Sequence, residues 1–275
     1  MKIKFIAILM GFVVLTGVFA GGNQDAPADK TAAPYTIEVG GSTSVTPLME
    51  LFAAEYQKAK TNIKVNINGT GSGDGIKNAG VIYQIGMSSR ELTPAEQGLG
   101  LKETIIAIDG IAVIMNKSSP VSNLTIAQIK DIYTGAITDW SQISGNVKRG
   151  KIAVISREEG SGTRGAFEEL VGFQGKLLAG ANESTSTGAI KASIAQNPEA
   201  IGYISLGSVD ASVKAISVNG IAPTNENVKK GAYKIARPFI VLTGKNVRPE
   251  SAAFIDWMLS SAGQAIVSKS WITIK

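Results

Sequence analysis

From residue 35 onward, apolar runs of four or five residues alternate with stretches whose apolar side chains recur every three or four positions. The runs predict strands and the recurring pattern predicts amphipathic helices, an order of elements expected of an α/β protein with parallel sheet. Residues 35–39 form the first predicted strand, which ends in Gly40-Gly41-Ser42-Thr43-Ser44; a helix beginning at Pro47 follows, marked by Leu48, Leu51, Phe52 and Tyr56. A strand over 63–67, the loop GTGSGDG and a helical start at Ile76 come next, and a strand over 84–87 leads into SSREL. Three successive strands thus end in loops rich in Gly, Ser and Thr. Ligands of open α/β sheets gather at the carboxyl ends of strands, so these loops are expected to converge on one crevice.

A second block begins at Gly110. Strands are predicted over 111–115, 152–155, 200–204 and 238–242, and helices over 125–133, 188–196 and 252–260, with another starting near Gly263. The segment KIAVISREEGSGTRGAFEEL stands out, because Arg157 precedes Ser161-Gly162-Thr163-Arg164 between the strand and a helical pattern over 166–170. Such a loop gathers unpaired backbone N–H groups, the positive end of a helix dipole, two hydroxyls and a guanidinium at one place. That combination suits a tetrahedral oxyanion.

Composition narrows the chemistry further. The chain has no His and no Cys, which removes Ser-His-Asp and Cys-His arrangements, imidazole bases and every Cys or His metal cage. At 275 residues with 44% hydrophobic content, it has enough material for one large core or two smaller ones. Residues 1–20 carry the marks of a signal peptide: the basic MKIK, an apolar core over 5–19, and Val18-Phe19-Ala20 as a small-residue cleavage site. Residues 21–34 are small, polar and Pro-containing, as expected of a flexible leader. Without Lys2 and Lys4 the formal charge of +5 falls to +3 (25 basic minus 22 acidic), and no Lys/Arg run is interleaved with aromatics. No nucleic-acid partner is expected.

Two familiar patterns fail on inspection, and a third is met but disfavoured. GSGDGIK places Ile76 where a P-loop needs its last Gly-Lys-Ser/Thr run, and no G-x-S-x-G elbow occurs. Gly160, Gly162 and Gly165 do satisfy G-x-G-x-x-G after a strand, but such a fingerprint opens its own dinucleotide unit, and Arg-Glu-Glu is poor company for a pyrophosphate.

Taken in order, VGGSTSVTPLME (39–50), NGTGSGDGIK (68–77), IGMSSREL (85–92), IYTGAITDW (132–140), ISREEGSGTRGAFEEL (155–170) and AIGYISLG (200–207) resemble the phosphate-binding proteins that serve phosphate ABC transporters, in their shorter form. The resemblance implies an α/β, two-lobed periplasmic-binding-protein fold with two chain crossovers and ligand held in the interlobe cleft. It places the crossings near 112–115 and 236–240, giving one lobe from 35–112 plus 238–275 and another from 113–237. It also implies a periplasmic or cell-surface monomer that captures inorganic phosphate without chemistry, cofactor or metal. The ion would pass to ABC transporter permease subunits in the membrane.

Carried over by position, the phosphate contacts fall on Thr43, Ser44, Ser72, Ser89, Arg157, Ser161, Gly162 and Thr163. Glu159 matches the acidic residue that holds the ligand-binding arginine in relatives. At the position of Ser89, longer relatives carry an Asp that accepts the proton of bound phosphate and so rejects sulfate. A serine cannot repel sulfate by charge. Arg90 is therefore expected as a second positive contact and Asp74 as a substitute acceptor. A carrier for another tetrahedral oxyanion, sulfate or molybdate, remains an alternative, as does a surface adhesin or signalling input on the same fold. An exported phosphate-ester enzyme is a further one, weakened by the lack of a nucleophile with an evident base.

Overall fold

The computed structural model describes residues 33–143 and 150–274; the expected signal peptide and most of the expected leader lie outside them. The chain opens with β1 (Tyr35–Gly41), α1 (Thr46–Ala59), β2 (Ile63–Gly69), α2 (Ser72–Asn78), β3 (Ile85–Ser88), the single-turn α3 (Pro94–Gln97) and the long β4 (Lys102–Met115). It continues through β5 (Asn123–Leu124), α4 (Ile126–Thr134), β6 (Ala153–Arg157), α5 (Gly162–Val171), β7 (Asn182–Ser184), α6 (Thr187–Gln196) and β8 (Ala200–Ser205). The last part holds β9 (Lys214–Ala215), β10 (Ser217–Val218), α7 (Asn225–Lys229), β11 (Ala236–Thr243), α8 (Pro249–Leu259) and α9 (Ser261–Val267).

Local chemistry explains several of these boundaries. Pro47 lies in the first turn of α1, where its missing N–H has no partner to lose. Thr125 and Gln128 form a reciprocal capping box at the start of α4, and Gly135 ends that helix in the left-handed conformation. Ser161 and Ser186 cap α5 and α6 through their side chains.

Among the described residues one nine-stranded sheet runs in the order β2-β1-β3-β11-β4-β8-β6-β7, with β9 added against β4. β1 pairs in parallel with β2 and β3, and β6 pairs in parallel with β7 and β8. The two strands at the centre break the parallel pattern that hydrophobic periodicity suggested, since β11 is antiparallel to β3 and to β4, and β4 is antiparallel to β8. Periodicity reports burial and says nothing of strand direction. Direction follows from the chain crossing the middle of the molecule and returning.

β4 is the pivot of this arrangement. Through Gly110 it pairs with β11, and from Ile111 onward with β8. One strand therefore feeds two cores. Ile106 and Ala107 join Ile37, Val39, Phe52, Met87, Phe239 and Phe254 in the first, whereas Ile111, Val113 and Met115 join Tyr133, Trp140, Phe167 and Tyr203 in the second. The alternate side chains Ala112 and Ile114 face Ile190, Ile194 and Ile204 on the other side of the sheet. Burial on both faces accounts for the unbroken apolar run over 111–115.

α2 begins at Ser72, four positions before the expected start at Ile76. Ser-Gly-Asp-Gly has little helical propensity of its own, and tertiary packing supplies what it lacks. Gly75 lies so close to the sheet that a Cβ there would come within 2.5 Å of the Met87 carbonyl oxygen and 2.8 Å of that of Gly40. We expect Gly75→Ala to cost about 1–3 kcal/mol by forcing α2 off β1 and β3. Urea denaturation would read this as a lower midpoint at unchanged slope.

Candidate functional site

Three strand-end loops from the first core meet. Behind β1, the turn at Ser42 carries the Val45 and Thr46 amides on its carbonyl and leads Thr43 and Ser44 into the start of α1. Ser42 Oγ donates to Ser89 Oγ at 2.8 Å, and the Ser89 amide donates to Ser72 Oγ at 3.1 Å. The Ser89 hydroxyl is therefore within reach of one hydroxyl from each of the other two loops, and Ser42, Ser44, Ser72 and Ser89 are all buried.

The facing wall comes from the second core. Arg157 ends β6 with only 1% of its surface exposed. Its backbone amide donates to the Tyr203 hydroxyl at 3.3 Å, and Tyr203 stacks on Phe167 with ring centroids 4.0 Å apart. Burial pushes the Tyr203 phenol up to about 12, so it remains a neutral prop beneath the arginine. The guanidinium is held in a fork: Nε and Nη2 each donate to Glu158 at 2.8 Å, and Nε also donates to the Ser184 carbonyl at 3.1 Å. A rigid, planar donor set aimed by a carboxylate is suited to bidentate recognition of an oxyanion. Directly after it, Ser161 caps α5 and places the first-turn amides of Gly162 and Thr163 beside the charge.

The two walls are bonded to each other. Arg157 Nη2 donates to Thr43 Oγ1 at 3.1 Å, Ser44 Oγ shares hydrogen bonds with Thr163 Oγ1 at 2.8 Å and Thr187 Oγ1 at 3.1 Å, and the Gly73 amide donates to the Gly160 carbonyl at 3.0 Å. Approach is close enough that a Cβ on Gly162 would sit 2.2 Å from Ser72 Oγ and 2.9 Å from Ser89 Oγ. Only glycine fits there. The starts of α1, α2, α5 and α6 thus converge around Arg157, bringing together Thr43, Ser44, Ser72, Ser89, Arg157, Gly162 and Thr163, with Ser161 as the cap beside them.

Three expectations need correction. The partner of Arg157 is Glu158, while Glu159 is exposed; β6 delivers the arginine at its last residue, and the next side chain turns back over the guanidinium. Arg90 does not offer a spare charge, because both its Nη atoms are bound by Glu96 at 2.7 and 2.8 Å and Nη1 also donates to the Glu91 carbonyl. Asp74 is no spare acceptor either. Thr70, Asn78 and Tyr83 all donate to its carboxylate, which serves to brace the GTGSGDG loop.

Two cluster members escaped the sequence reading of the site, Ser42 and Thr187. Thr187 Oγ1 lies 3.1 Å from Ser44 Oγ, 3.3 Å from Thr43 Oγ1 and 3.5 Å from Arg157 Nη1. The available signal was Ser186-Thr187 opening a helix, the same hydroxyl-rich start seen at the other three loops.

Among the described residues no group of acidic side chains is arranged to hold a metal ion, and no helix is long and apolar enough to cross a membrane. The domain family that matches residues 22–262 is described as a PBP superfamily domain, which defines the class of this molecule as a two-lobed binding-protein fold. The chain is 46% identical to a phosphate ABC transporter substrate-binding protein with bound phosphate from Clostridium perfringens, over 88% of this chain and 100% of that one, with a TM-score of 0.85. An ABC-type phosphate transport receptor from Vibrio cholerae is 36% identical over 87% of this chain and 100% of its own, with a TM-score of 0.72. Phosphate-binding protein PstS of Borreliella burgdorferi is 32% identical over 85% of this chain and 88% of its own. The chain belongs to the PstS family of phosphate-binding proteins.

The Arg90–Glu96 pair yields a pH prediction. Its hydrogen bond to Arg90, more than any other contact, holds the Glu96 carboxyl at about 2, below its ordinary 4.5. A carboxylate with a depressed native pKa stabilises above the unfolded value and loses that contribution as pH falls through the native one. The excess thermal stability of the wild type over Glu96→Gln should be full above pH 4.5 and vanish on approach to pH 2, as followed by the difference in Tm.

Proposed function

We propose that this protein is an exported, monomeric substrate-binding protein that captures inorganic phosphate and delivers it to the permease of an ABC transporter, performing no chemistry on it. The observation that carries this reading is the buried Arg157 fork, surrounded by hydroxyls and helix starts from both cores. The relatives, described by what they bind and serve, support it.

In this reading Arg157 supplies the charge and a pair of parallel donors. Thr43, Ser44, Ser72 and Ser89 from one side, with Ser161, Gly162, Thr163 and Thr187 from the other, complete a shell of hydroxyl and amide donors. Those hydroxyls bond to one another across the cleft, and an entering oxyanion takes over the same donors by rotation about each Cβ–Oγ bond. Each charge-assisted bond in such a dry site contributes about 1.5–3 kcal/mol, so a few suffice for micromolar binding after the cost of closure. The lobes are 35–112 with 238–275, and 113–237. They move about β4 and β11, and the closed form presents the surface that the permease reads.

Calorimetric titration with phosphate, sulfate and arsenate tests the assignment, and the absence of phosphate binding would end it. Arg157→Ala should weaken phosphate by about a hundredfold or more, ~3 kcal/mol. Glu158→Gln should weaken it by about tenfold through loss of the fork's alignment, and Glu159→Gln should leave it unchanged.

A further inference from the structure

Behind the phosphate cluster lies a second, fully buried guanidinium. Arg237, near the start of β11, and Asp109, on β4, face each other in register across the two central strands, and their side chains are 2% and 0% exposed. Arg237 Nη2 donates to Asp109 Oδ2 at 3.2 Å and Nη1 donates to the Ser89 carbonyl at 3.2 Å. Asp109 Oδ1 accepts from Ser205 Oγ at 2.8 Å and from the Gly207 amide at 3.5 Å. The pair thus ties the end of β3 to the end of β8. It does so one residue before Gly110, where β4 exchanges β11 for β8 as its partner.

Stability alone does not account for two charges at this spot. An ion pair taken out of water gives no more stability than apolar side chains of similar volume. Burial pushes the Asp109 carboxyl up; burial first, with the charge of Arg157 contributing, brings the Arg237 guanidinium down to about 10. Arg237 therefore remains cationic at neutral pH and feels the phosphate-cluster arginine directly. What the location offers is a donor to the backbone of Ser89, the residue through which Ser42 and Ser72 are joined.

We propose that Arg237, oriented by Asp109, is a positioning residue of the anion site that anchors Ser89 and places a second cation behind the cluster. This rests on the phosphate reading above. It assigns Arg237 an action through Ser89 and through its charge, with no contact of its own to the ion.

The test titrates phosphate into the wild type, Arg237→Lys and the neutral double variant Asp109→Asn/Arg237→Gln, recording Tm in the absence of phosphate beside each Kd. Arg237→Lys keeps the charge and loses the fork, so binding should weaken by about tenfold. The neutral pair retains amide-to-amide bonding without charge and should weaken it by ~10- to 100-fold. A lowered Tm with an unchanged Kd in either folded variant would make the pair purely structural and overturn the proposal. Should the variants not fold, the guanidinium resonance of Arg237 in the wild type decides: phosphate should shift it, and an unmoved resonance counts against the idea. Failure of the wild type itself to bind phosphate would overturn the phosphate reading, which keeps the two failures apart.

Discussion

The structure depends on keeping one guanidinium out of water. Arg157 is almost fully buried, and an unpaired charge in that position would cost several kcal/mol, so every neighbouring element is arranged to answer it. Glu158 balances the charge and fixes the plane of the fork, the Ser184 carbonyl takes a further donor, and the stacked Tyr203 and Phe167 rings exclude solvent from below. Thr43, carried on the other core, takes a donor that would otherwise face the cleft. The arginine is thus a point at which the two halves of the molecule meet.

That meeting is made possible by the central strands. β4 contributes side chains to both cores and exchanges its hydrogen-bonding partner in mid-course, so each core packs independently while sharing a continuous backbone. The bonds that join the two walls are those between Ser44, Thr163 and Thr187, between Thr43 and Arg157, and between Gly73 and Gly160. These are polar groups that exchange partners with water or with an anion at little net cost. The Arg237–Asp109 pair lies on the same central strands, where the register of one side is set against the other.

Neighbouring carboxylates illustrate how much depends on one residue of placement. Glu158 and Glu159 are adjacent and chemically equivalent, yet one braces the arginine and the other is exposed, because the turn after β6 sends successive side chains in different directions. Arg90 and Asp74 have the right chemistry for an anion site and lie near it in sequence. Each is satisfied locally, by Glu96 and by the Thr70, Asn78 and Tyr83 donors. Motif position reveals which residue types are near a site, and only the path of the backbone reveals which of them are free to serve it.

Hydrophobic periodicity and turn chemistry were enough to determine that strands and helices alternate from residue 35, that the strand-end loops carry the hydroxyls, and that the arginine before Ser161-Gly162-Thr163 is the charged centre. These features are local, and local propensity and spacing encode them. The direction of β4 and β11, the early start of α2 against the sheet, the inclusion of Ser42 and Thr187, the pairing with Glu158 and the buried Arg237–Asp109 contact were decided by tertiary structure alone. Each joins residues distant in sequence or turns on the orientation of a single side chain, and neither long-range contact nor orientation leaves a period in the chain.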